Sequence, residues 1–199
     1  MSQSGTRDAT DLTRATLLGV ARRTFAAKGY AGTSLRDIVE PVGMTKGALY
    51  HHFKNKAEVL EAVYTELERE LVDAVGRALA KAPMEPWARL EAALDAFFEA
   101  SSEPAYVRIV LQEAPVVLLG KTRTIDQDVG LALVEELLGG LMDAGELPEL
   151  PLRPLAGIVL AATGDVAIEM AASDDLAKTR AEGRRVIDAL FEGLRRQAR

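Results

Sequence analysis

The four residues Val42-Gly43-Met44-Thr45 constrain the fold of this chain more than any other feature of its sequence. Gly43 allows a positive φ at the corner of a tight turn, and Thr45 is a residue type that caps a following helix. Before the turn, Ser34-Leu35-Arg36-Asp37 has the pattern of a capping box. The sequence therefore predicts two short helices joined by a glycine turn.

The helix after this turn is predicted to run from Thr45 to His52 or Phe53. Leu49 and Phe53 are four residues apart, so they face inward together, where Ile38 and Val39 of the preceding helix complete a small core. The side chains left to face outward are Thr45, Lys46, Tyr50 and His51. Gly47 and Ala48 carry almost no side chain, so the helix backbone can approach another surface closely. These properties suit a helix that enters the major groove of DNA.

The rest of the chain predicts helices only. Among the 199 residues are 32 Ala and 27 Leu, the two apolar types that favour helices most, and no run alternates as a strand would. The prediction is an all-α fold of about nine helices. Their predicted ranges are about 11–28, 34–42, 45–53, 55–81, 86–100, 104–114, 125–144, 155–172 and 174–196, and Pro115 is expected to kink or end the sixth.

Charge is divided unevenly along the chain. Residues 1–56 hold nine basic and four acidic residues, whereas the whole chain has a net charge of −6. An anion-binding segment on an acidic body would produce this asymmetry. Chance clustering of solvated charges would produce it as well, so charge alone leaves both interpretations open.

Several classes of protein are excluded or disfavoured by what the sequence lacks. Without cysteine, the chain can form no disulfide, thiolate metal site or cysteine nucleophile, which suits a reducing cytosol. The longest uncharged stretch, Pro154–Gly164, is shorter than the ~20 residues that span a bilayer, and no apolar signal precedes the first helix. His51 and His52 point about 100° apart on a helix, so no metal site or other cofactor is predicted. No phosphate loop or nucleophile elbow indicates an enzyme.

The segment from Phe25 to Leu60 resembles the DNA-binding segment of the TetR family of bacterial transcriptional repressors. The residues that carry the resemblance are Phe25, Gly29-Tyr30, Thr33-Ser34, Asp37-Ile38, Gly43, Thr45-Lys46-Gly47, Leu49-Tyr50, Phe53, Lys56 and Leu60. Pro41 departs from the family, which usually has alanine there, and it is expected to disfavour helical geometry at Glu40. The resemblance implies a flexible arm at 1–10, a helix-turn-helix domain at 11–56 and an effector-binding and dimerisation domain at 57–199.

The resemblance also implies which residues contact an operator of double-stranded DNA. They are Lys46, Tyr50 and His51, with Thr45 and Gly47 beside them, and Thr33, Ser34, Arg36 and Lys56 as phosphate ligands. Lys46 is the best candidate for reading a base, because its ammonium can donate to guanine O6 or N7. Lys56 would act together with the N-terminus of the fourth helix.

The last two helices carry more apolar positions than one chain is expected to bury, which predicts pairing with a second copy. The resemblance likewise implies a homodimer. The predicted interface residues are Leu155, Val159, Val166, Met170, Val186, Ile187, Leu190, Phe191 and Leu194. The alternative is that these residues cover the chain's own core. Asp165 and Glu169 are predicted to pair with Arg108, Arg180 or Arg184, the alternatives being exposure to solvent or contact with a polar ligand.

A small-molecule effector is the last implied partner, and the middle helices would enclose it. The candidate lining residues are Tyr64, Leu67, Trp87, Leu90, Phe97, Phe98, Tyr106, Val110, Gln112, Glu113, Val134 and Met142, for each of which ordinary core packing is the alternative. The predicted function is that of a cytoplasmic, ligand-responsive transcriptional repressor. It would bind a near-palindromic operator as a homodimer and be released by the effector, with activation of transcription as the other possible outcome. The alternative is a ligand-insensitive DNA-binding or adaptor protein on the same scaffold.

Overall fold

The computed structural model describes the backbone of residues 3–119 and 130–198, and side chains from residue 12 onward within these ranges. Its regular structure is entirely helical in the described residues, which confirms the predicted fold class. The helices are α1 (Gln3–Gly32), α2 (Leu35–Val39), α3 (Lys46–Tyr50), α4 (Lys56–Leu79), α5 (Pro86–Ala100), α6, α7 (Leu131–Asp143), α8 (Leu152–Ala172) and α9 (Leu176–Gln197). Helix α6 joins three consecutive segments, Pro104–Tyr106, Val107–Glu113 and Ala114–Val117. Residues 125–129 of the predicted seventh helix lie outside the described residues.

The chain divides into two compact units. The first comprises Met1–Leu67 with Pro104–Leu119, and the second comprises Glu68–Glu103 with Gly120–Arg199. The functional division predicted after residue 56 stays a prediction. The first turns of α4 and the whole of α6 belong to the same unit as α1, α2 and α3.

Helix α1 forms one wall of the first unit. Leu17, Leu18, Ala21 and Phe25, which helical spacing places on one face, are fully buried. The helix begins at Gln3, earlier than the predicted start near Asp11, since the preceding segment contains no proline that would forbid helical geometry. At the predicted end, Gly29 has φ 70° and ψ 172°, a conformation that interrupts the helix.

Pro41 lies in a tightened turn after α2. Glu40 keeps helical dihedral angles, φ −59° and ψ −44°, although a following proline was expected to disfavour them. The chain tightens into a 3₁₀ turn, Glu40–Val42, with Pro41 near its start. A proline in a first turn costs no hydrogen bond, because the amides there have no partner within the helix.

Helix α6 has unusual backbone geometry. Its central segment, Val107–Glu113, is a π-helix, in which hydrogen bonds join residues five apart. Pro115 was expected to kink or end the helix, but it lies in the first turn of the segment Ala114–Val117 and the helix continues. The π-helix thus ends at Glu113, two residues before Pro115, which has no amide hydrogen to donate.

The second unit is built on an apolar core to which α5, α7, α8 and α9 all contribute. Its buried members include Leu90, Leu138, Ala156, Ile187 and Phe191. Among the described helices, α8 alone has the length and apolar composition that a membrane-spanning helix needs. Core helices of soluble proteins share these properties, so this observation is weak by itself. The length of the longest uncharged stretch did not reveal this property of α8, because Arg153, Asp165 and Glu169 interrupt its apolar sequence.

Gly183 lets α9 approach α8 closely. A Cβ atom at this position would lie 3.0 Å from Val166 Cγ2 and closer still to Cγ1. Because Val166 has a short branched side chain with one preferred rotamer in a helix, it cannot easily move aside. The contact therefore requires glycine.

We expect Gly183→Ala to lower the free energy of unfolding by about 1–2 kcal/mol through overpacking. Gly76→Ala is the matched control, because a Cβ there meets no atom within 4 Å, and it should stabilise the chain by about 0.5–1 kcal/mol. Adding Val166→Ala to Gly183→Ala should recover part of the loss. Urea unfolding followed by circular dichroism measures all three, and equal stability of the two alanine variants would contradict the prediction.

Candidate nucleic-acid interface

The turn that leads into α3 is built as the sequence predicted. Ser34 and Asp37 form a complete capping box at the start of α2. Gly43 has φ 66°, in the left-handed region that favours glycine. Thr45 caps α3, its Oγ1 accepting from the amide of Ala48 at 3.2 Å. Local hydrogen bonds therefore set where α3 begins and in which direction it leaves the turn.

Helix α3 has one buried side and one exposed side. Leu49 is fully buried and Phe53 is nearly so, so they anchor the helix to the unit. Lys46 and His51 are exposed, and Tyr50 is 53 % exposed. The side chains that the sequence predicted to face outward from α3 are therefore accessible to a partner.

The backbone of α3 is also accessible at Gly47. A Cβ added there would meet only Thr45 Oγ1, at an ordinary contact distance of 3.6 Å. Nothing within the protein therefore requires glycine at this position. An approaching partner would find helix backbone rather than a side chain.

Two of the predicted phosphate ligands have other roles. Thr33 is buried, and its hydroxyl donates to the Gly29 carbonyl at 2.7 Å. The Lys56 ammonium donates to the carbonyls of Tyr30 and Thr33 at 2.6 and 2.7 Å, and it lies 4.1 Å from the centroid of the Tyr30 ring. Both side chains link the end of α1 and the turn before α2 to the rest of the unit. Their contact with phosphate stays a prediction.

Ser34 and Arg36, the other predicted phosphate ligands, are exposed. The Ser34 hydroxyl is paired with the Asp37 carboxylate as part of the capping box. Arg36 donates to Glu40 at 2.7 Å, and this hydrogen bond with its charge attraction raises the pKa of Arg36 and lowers the pKa of Glu40. The Ser34 hydroxyl would have to give up Asp37 to donate to a phosphate, whereas Arg36 keeps N–H donors that Glu40 does not use.

Asp37 receives hydrogen bonds from both sides. Lys28 donates to it at 2.7 Å, and this bond, followed by those from Ser34, holds the pKa of Asp37 well below its usual range. A carboxyl group whose pKa falls on folding stabilises the fold above its unfolded value, near pH 4. That contribution is lost as the pH falls further through the lowered value.

Sequence reasoning missed two basic residues near α3. The Arg14 guanidinium of α1 lies 5.2 Å from the centroid of the Phe53 ring, and Arg14 is exposed. Lys54 is also exposed, in the turn between α3 and α4. Only the spatial proximity of α1 to Phe53 identifies Arg14, and no local pattern in the sequence indicates it.

The predicted dimer residues divide into two groups. Val186 and Leu190 are exposed, at 59 % and 57 %. The other seven are buried or pack against the core of their own unit: Leu155, Val159, Val166, Met170, Ile187, Phe191 and Leu194. An apolar pattern marks covered positions without telling which neighbour covers them, so contact of these seven with a second copy stays a prediction.

Asp165 and Glu169 are exposed on α8. The predicted partners are occupied elsewhere: Arg184 pairs with Asp95 and Asp188, Arg180 donates to the Asp95 carbonyl, and Arg108 pairs with Glu113 at 3.1 Å. The predicted pairing is therefore wrong within the described residues. A carboxylate on the open side of an apolar helix needs no partner while water reaches it.

The predicted effector residues fall in both compact units. Those in the first unit are Tyr64, Leu67, Tyr106, Val110, Gln112 and Glu113, and those in the second are Trp87, Leu90, Phe97, Phe98, Val134 and Met142. Most are apolar and buried or half-buried, but Gln112 is exposed and Glu113 is paired with Arg108. The effector pocket stays a prediction. A separate open groove of about 340 Å³ in the first unit contains none of these residues and is lined by Arg23, Thr24, Ala27, Lys28, Asp37, Glu40 and Pro41.

Comparison with known families identifies both parts of the chain. Residues 17–63 match the family model for bacterial regulatory proteins of the tetR family. Residues 87–194 match the model for the tetracyclin repressor-like C-terminal domain. The chain belongs to the TetR family. The matched proteins are transcriptional regulators and not enzymes, in agreement with the sequence prediction.

Individual relatives agree with this assignment. A crystal structure of a TetR-family transcriptional regulator from Pectobacterium atrosepticum is 30 % identical, covers 94 % of this chain and 96 % of its own, and has a TM-score of 0.83. The HTH-type transcriptional regulator TtgR of Pseudomonas putida is 42 % identical over 37 % of this chain and 34 % of its own length. The transcriptional repressor KstR2 of Rhodococcus jostii is 29 % identical over 66 % of this chain and 64 % of its own. The chain thus matches about a third to two thirds of these two relatives.

Proposed function

We propose that this TetR-family protein is a cytoplasmic repressor that binds a near-palindromic operator as a homodimer and is released by a small molecule. The observation that carries the proposal is the exposed side of α3, where Lys46, Tyr50 and His51 project from a helix anchored by buried Leu49. Two such helices in a dimer would reach successive major grooves about 34–36 Å apart.

We expect Lys46→Ala and Tyr50→Ala each to weaken operator binding about tenfold, because each removes an exposed group from the face that enters the groove. Lys81→Ala, an exposed lysine of the second unit, is the matched control and should bind as the parent does. A footprint on DNA flanking the gene locates the operator, and gel-shift titrations at fixed salt measure the affinity. Parental affinity in both variants would show that α3 is not the recognition helix.

Phosphate binding is assigned in this proposal to Arg14 and Lys54 instead of Lys56. Both are exposed near the C-terminal end of α3, whereas the Lys56 ammonium is bound to two carbonyls. Phosphate contacts set the position of a protein on DNA, and base contacts supply specificity. Each cation that neutralises a phosphate also makes binding more dependent on salt.

The proposed dimer uses the sides of α8 and α9 that the second unit leaves exposed. We name as the outer face the exposed residues Ile158, Ala161, Ile168, Val186, Ala189 and Leu190. A connected apolar surface of this kind marks an interaction site more often than an ordinary surface, and a two-fold axis lets one face cover its own copy. Light scattering at micromolar concentration tests the proposal, and a monomer would contradict it.

A small-molecule effector site is proposed, and the candidate residues named above are considered within each unit by itself. Trp87 is the single tryptophan of the chain, so its emission can report binding directly. A compound that changes the emission of Trp87 and weakens operator binding supports the proposal, since an effector acts only through its different affinities for two states. If no such compound changes operator binding, the alternative of a ligand-insensitive DNA-binding protein is favoured.

A further inference from the structure

Two carboxylates interrupt the outer face: Glu182 of α9, four residues before Val186, pairs with Lys178 at 4.0 Å, and Asp165 lies on α8. Asp165 lies four residues after Ala161, seven after Ile158 and three before Ile168, so helical spacing places it among them. It is exposed, and the described residues offer it no hydrogen-bond or ion-pair partner. If a partner surface covers the outer face, this charge loses its water and must be neutralised.

Helix α9 contains five arginines, of which Arg185 and Arg196 have no hydrogen-bond or ion-pair partner in the described residues, and only Arg185 lies within two residues of the Gly183–Val166 contact. Three of them are bound within the chain: Arg180 to the Asp95 carbonyl, Arg184 to Asp95 and Asp188, and Arg195 to Glu146 at 2.5 Å. Arg185 differs from these three, since it is exposed and has no such partner in the part of the chain that the structure describes. It directly precedes Val186 of the outer face.

The two groups lie at the same height on the α8–α9 hairpin. Gly183 of α9 packs against Val166 of α8, and Asp165 and Arg185 are each within two residues of that contact. They do not pair within one chain. A second copy, turned by a two-fold axis at this height, would bring its Arg185 to the Asp165 of the first.

We propose that Asp165 of one copy forms an ion pair with Arg185 of the other, twice by symmetry, and that these pairs determine how the outer faces associate. The inference rests on the proposed homodimer and names the residues that give it specificity. It also accounts for a charge in the middle of an apolar surface. Compared with a pair of apolar residues at the same positions, such an ion pair adds little to the affinity of the two copies. It does disfavour other modes of association that would leave either charge unpaired.

Charge reversal tests the pairing. Asp165→Arg alone and Arg185→Asp alone each place like charges opposite one another, so each should weaken self-association at least about tenfold. When the two single variants are mixed, both pairs are restored in the mixed dimer, which should therefore exceed either homodimer. The double variant should self-associate within about threefold of the parent, because both charges are exchanged together.

The measurements are sedimentation equilibrium for each protein and native mass spectrometry for the mixture. Glu91→Arg, a reversal at an exposed acid of α5, is the matched control and should associate as the parent does. Circular dichroism and Trp87 emission verify folding, and Asp165→Asn supplies a milder change with a smaller expected loss. Glu169→Arg tests whether Glu169, rather than Asp165, pairs with Arg185 of the other copy.

The possible failures are distinguishable. A monomeric parent protein overturns both the proposed dimer and the pairing. A dimeric parent whose single variants associate normally, or whose mixture shows no preference for the mixed dimer, overturns the pairing and leaves the dimer standing. Preferential pairing of Glu169→Arg with Arg185→Asp, without such preference for Asp165→Arg, overturns the assignment of Asp165.

Discussion

Replacing Gly29 with alanine is expected to lower the free energy of unfolding by about 2–3 kcal/mol. With φ 70° and ψ 172°, Gly29 occupies a region of dihedral angles that only glycine adopts without strain. A Cβ atom would also lie 2.5 Å from Glu113 Oε1 and 2.6 Å from Arg108 Nη2. Those side chains can move, but the backbone strain remains. Urea unfolding followed by circular dichroism at a fixed protein concentration measures the loss.

Gly32→Ala is the matched control for Gly29→Ala. A Cβ at Gly32 meets only Lys28 Cβ, at 3.5 Å, and this glycine needs no positive φ. We expect its stability to equal or exceed that of the parent by up to about 1 kcal/mol, since glycine is unfavourable in a helical turn. A second control, Gly29→Ala combined with Arg108→Ala, removes the crowding and should retain most of the loss. If the combined variant regains full stability, crowding and not backbone strain is the cause.

Lys56→Met should destabilise the first unit by about 2–3 kcal/mol. The change keeps an apolar stem beside Tyr30 but removes two hydrogen bonds from a charged donor to loop carbonyls. Such bonds contribute more than neutral ones, and the Thr33 carbonyl would lose this donor. The Tyr30 carbonyl would keep the Thr33 amide at 3.3 Å. Hydrogen exchange of the α2 and α3 amides measures the effect within this unit.

Lys54→Met separates this structural role from DNA binding. The Lys54 side chain is exposed, so its loss should change stability by less than about 0.5 kcal/mol. If it holds a phosphate, the slope of log affinity against log salt should fall in magnitude by about one. A large stability loss for Lys54→Met, or none for Lys56→Met, would contradict the assignment of the two lysines.

The parts of the fold that the sequence predicted depend on short-range interactions. The capping box joins residues three apart, Gly43 sets one corner, and Thr45 accepts from an amide three residues later. Each of these depends on residue types within one helical turn. The buried and exposed sides of α3 follow in the same way from the spacing of Leu49 and Phe53.

The contacts that the sequence did not indicate join residues that are distant in sequence. Lys56 donates to carbonyls 23 and 26 residues earlier, and the resemblance to a family's DNA contacts could not reveal these hydrogen bonds. Arg14 lies beside Phe53 only after α1 packs against the rest of the unit. Sequence patterns give residue types and spacing, whereas these roles depend on which helices become neighbours.

The α8–α9 hairpin shows a related limit. Apolar residues occur around most of α8, so periodicity alone could not separate Val159, which faces the core, from Ile158, which is 66 % exposed. Adjacent residues of a helix point about 100° apart. The predicted interface therefore contained mainly inward-facing neighbours of the residues that are exposed.

The ion pair over Gly29 depends on how tightly α6 is wound. Arg108 and Glu113 are five residues apart, and their side chains meet because Val107–Glu113 is a π-helix. With α-helical winding, residues five apart would point about 140° away from each other, and the pair would separate. Rewinding this one segment would therefore separate the two charged groups that lie beside Gly29. A change in the winding of α6 would therefore also change which side chains surround Gly29.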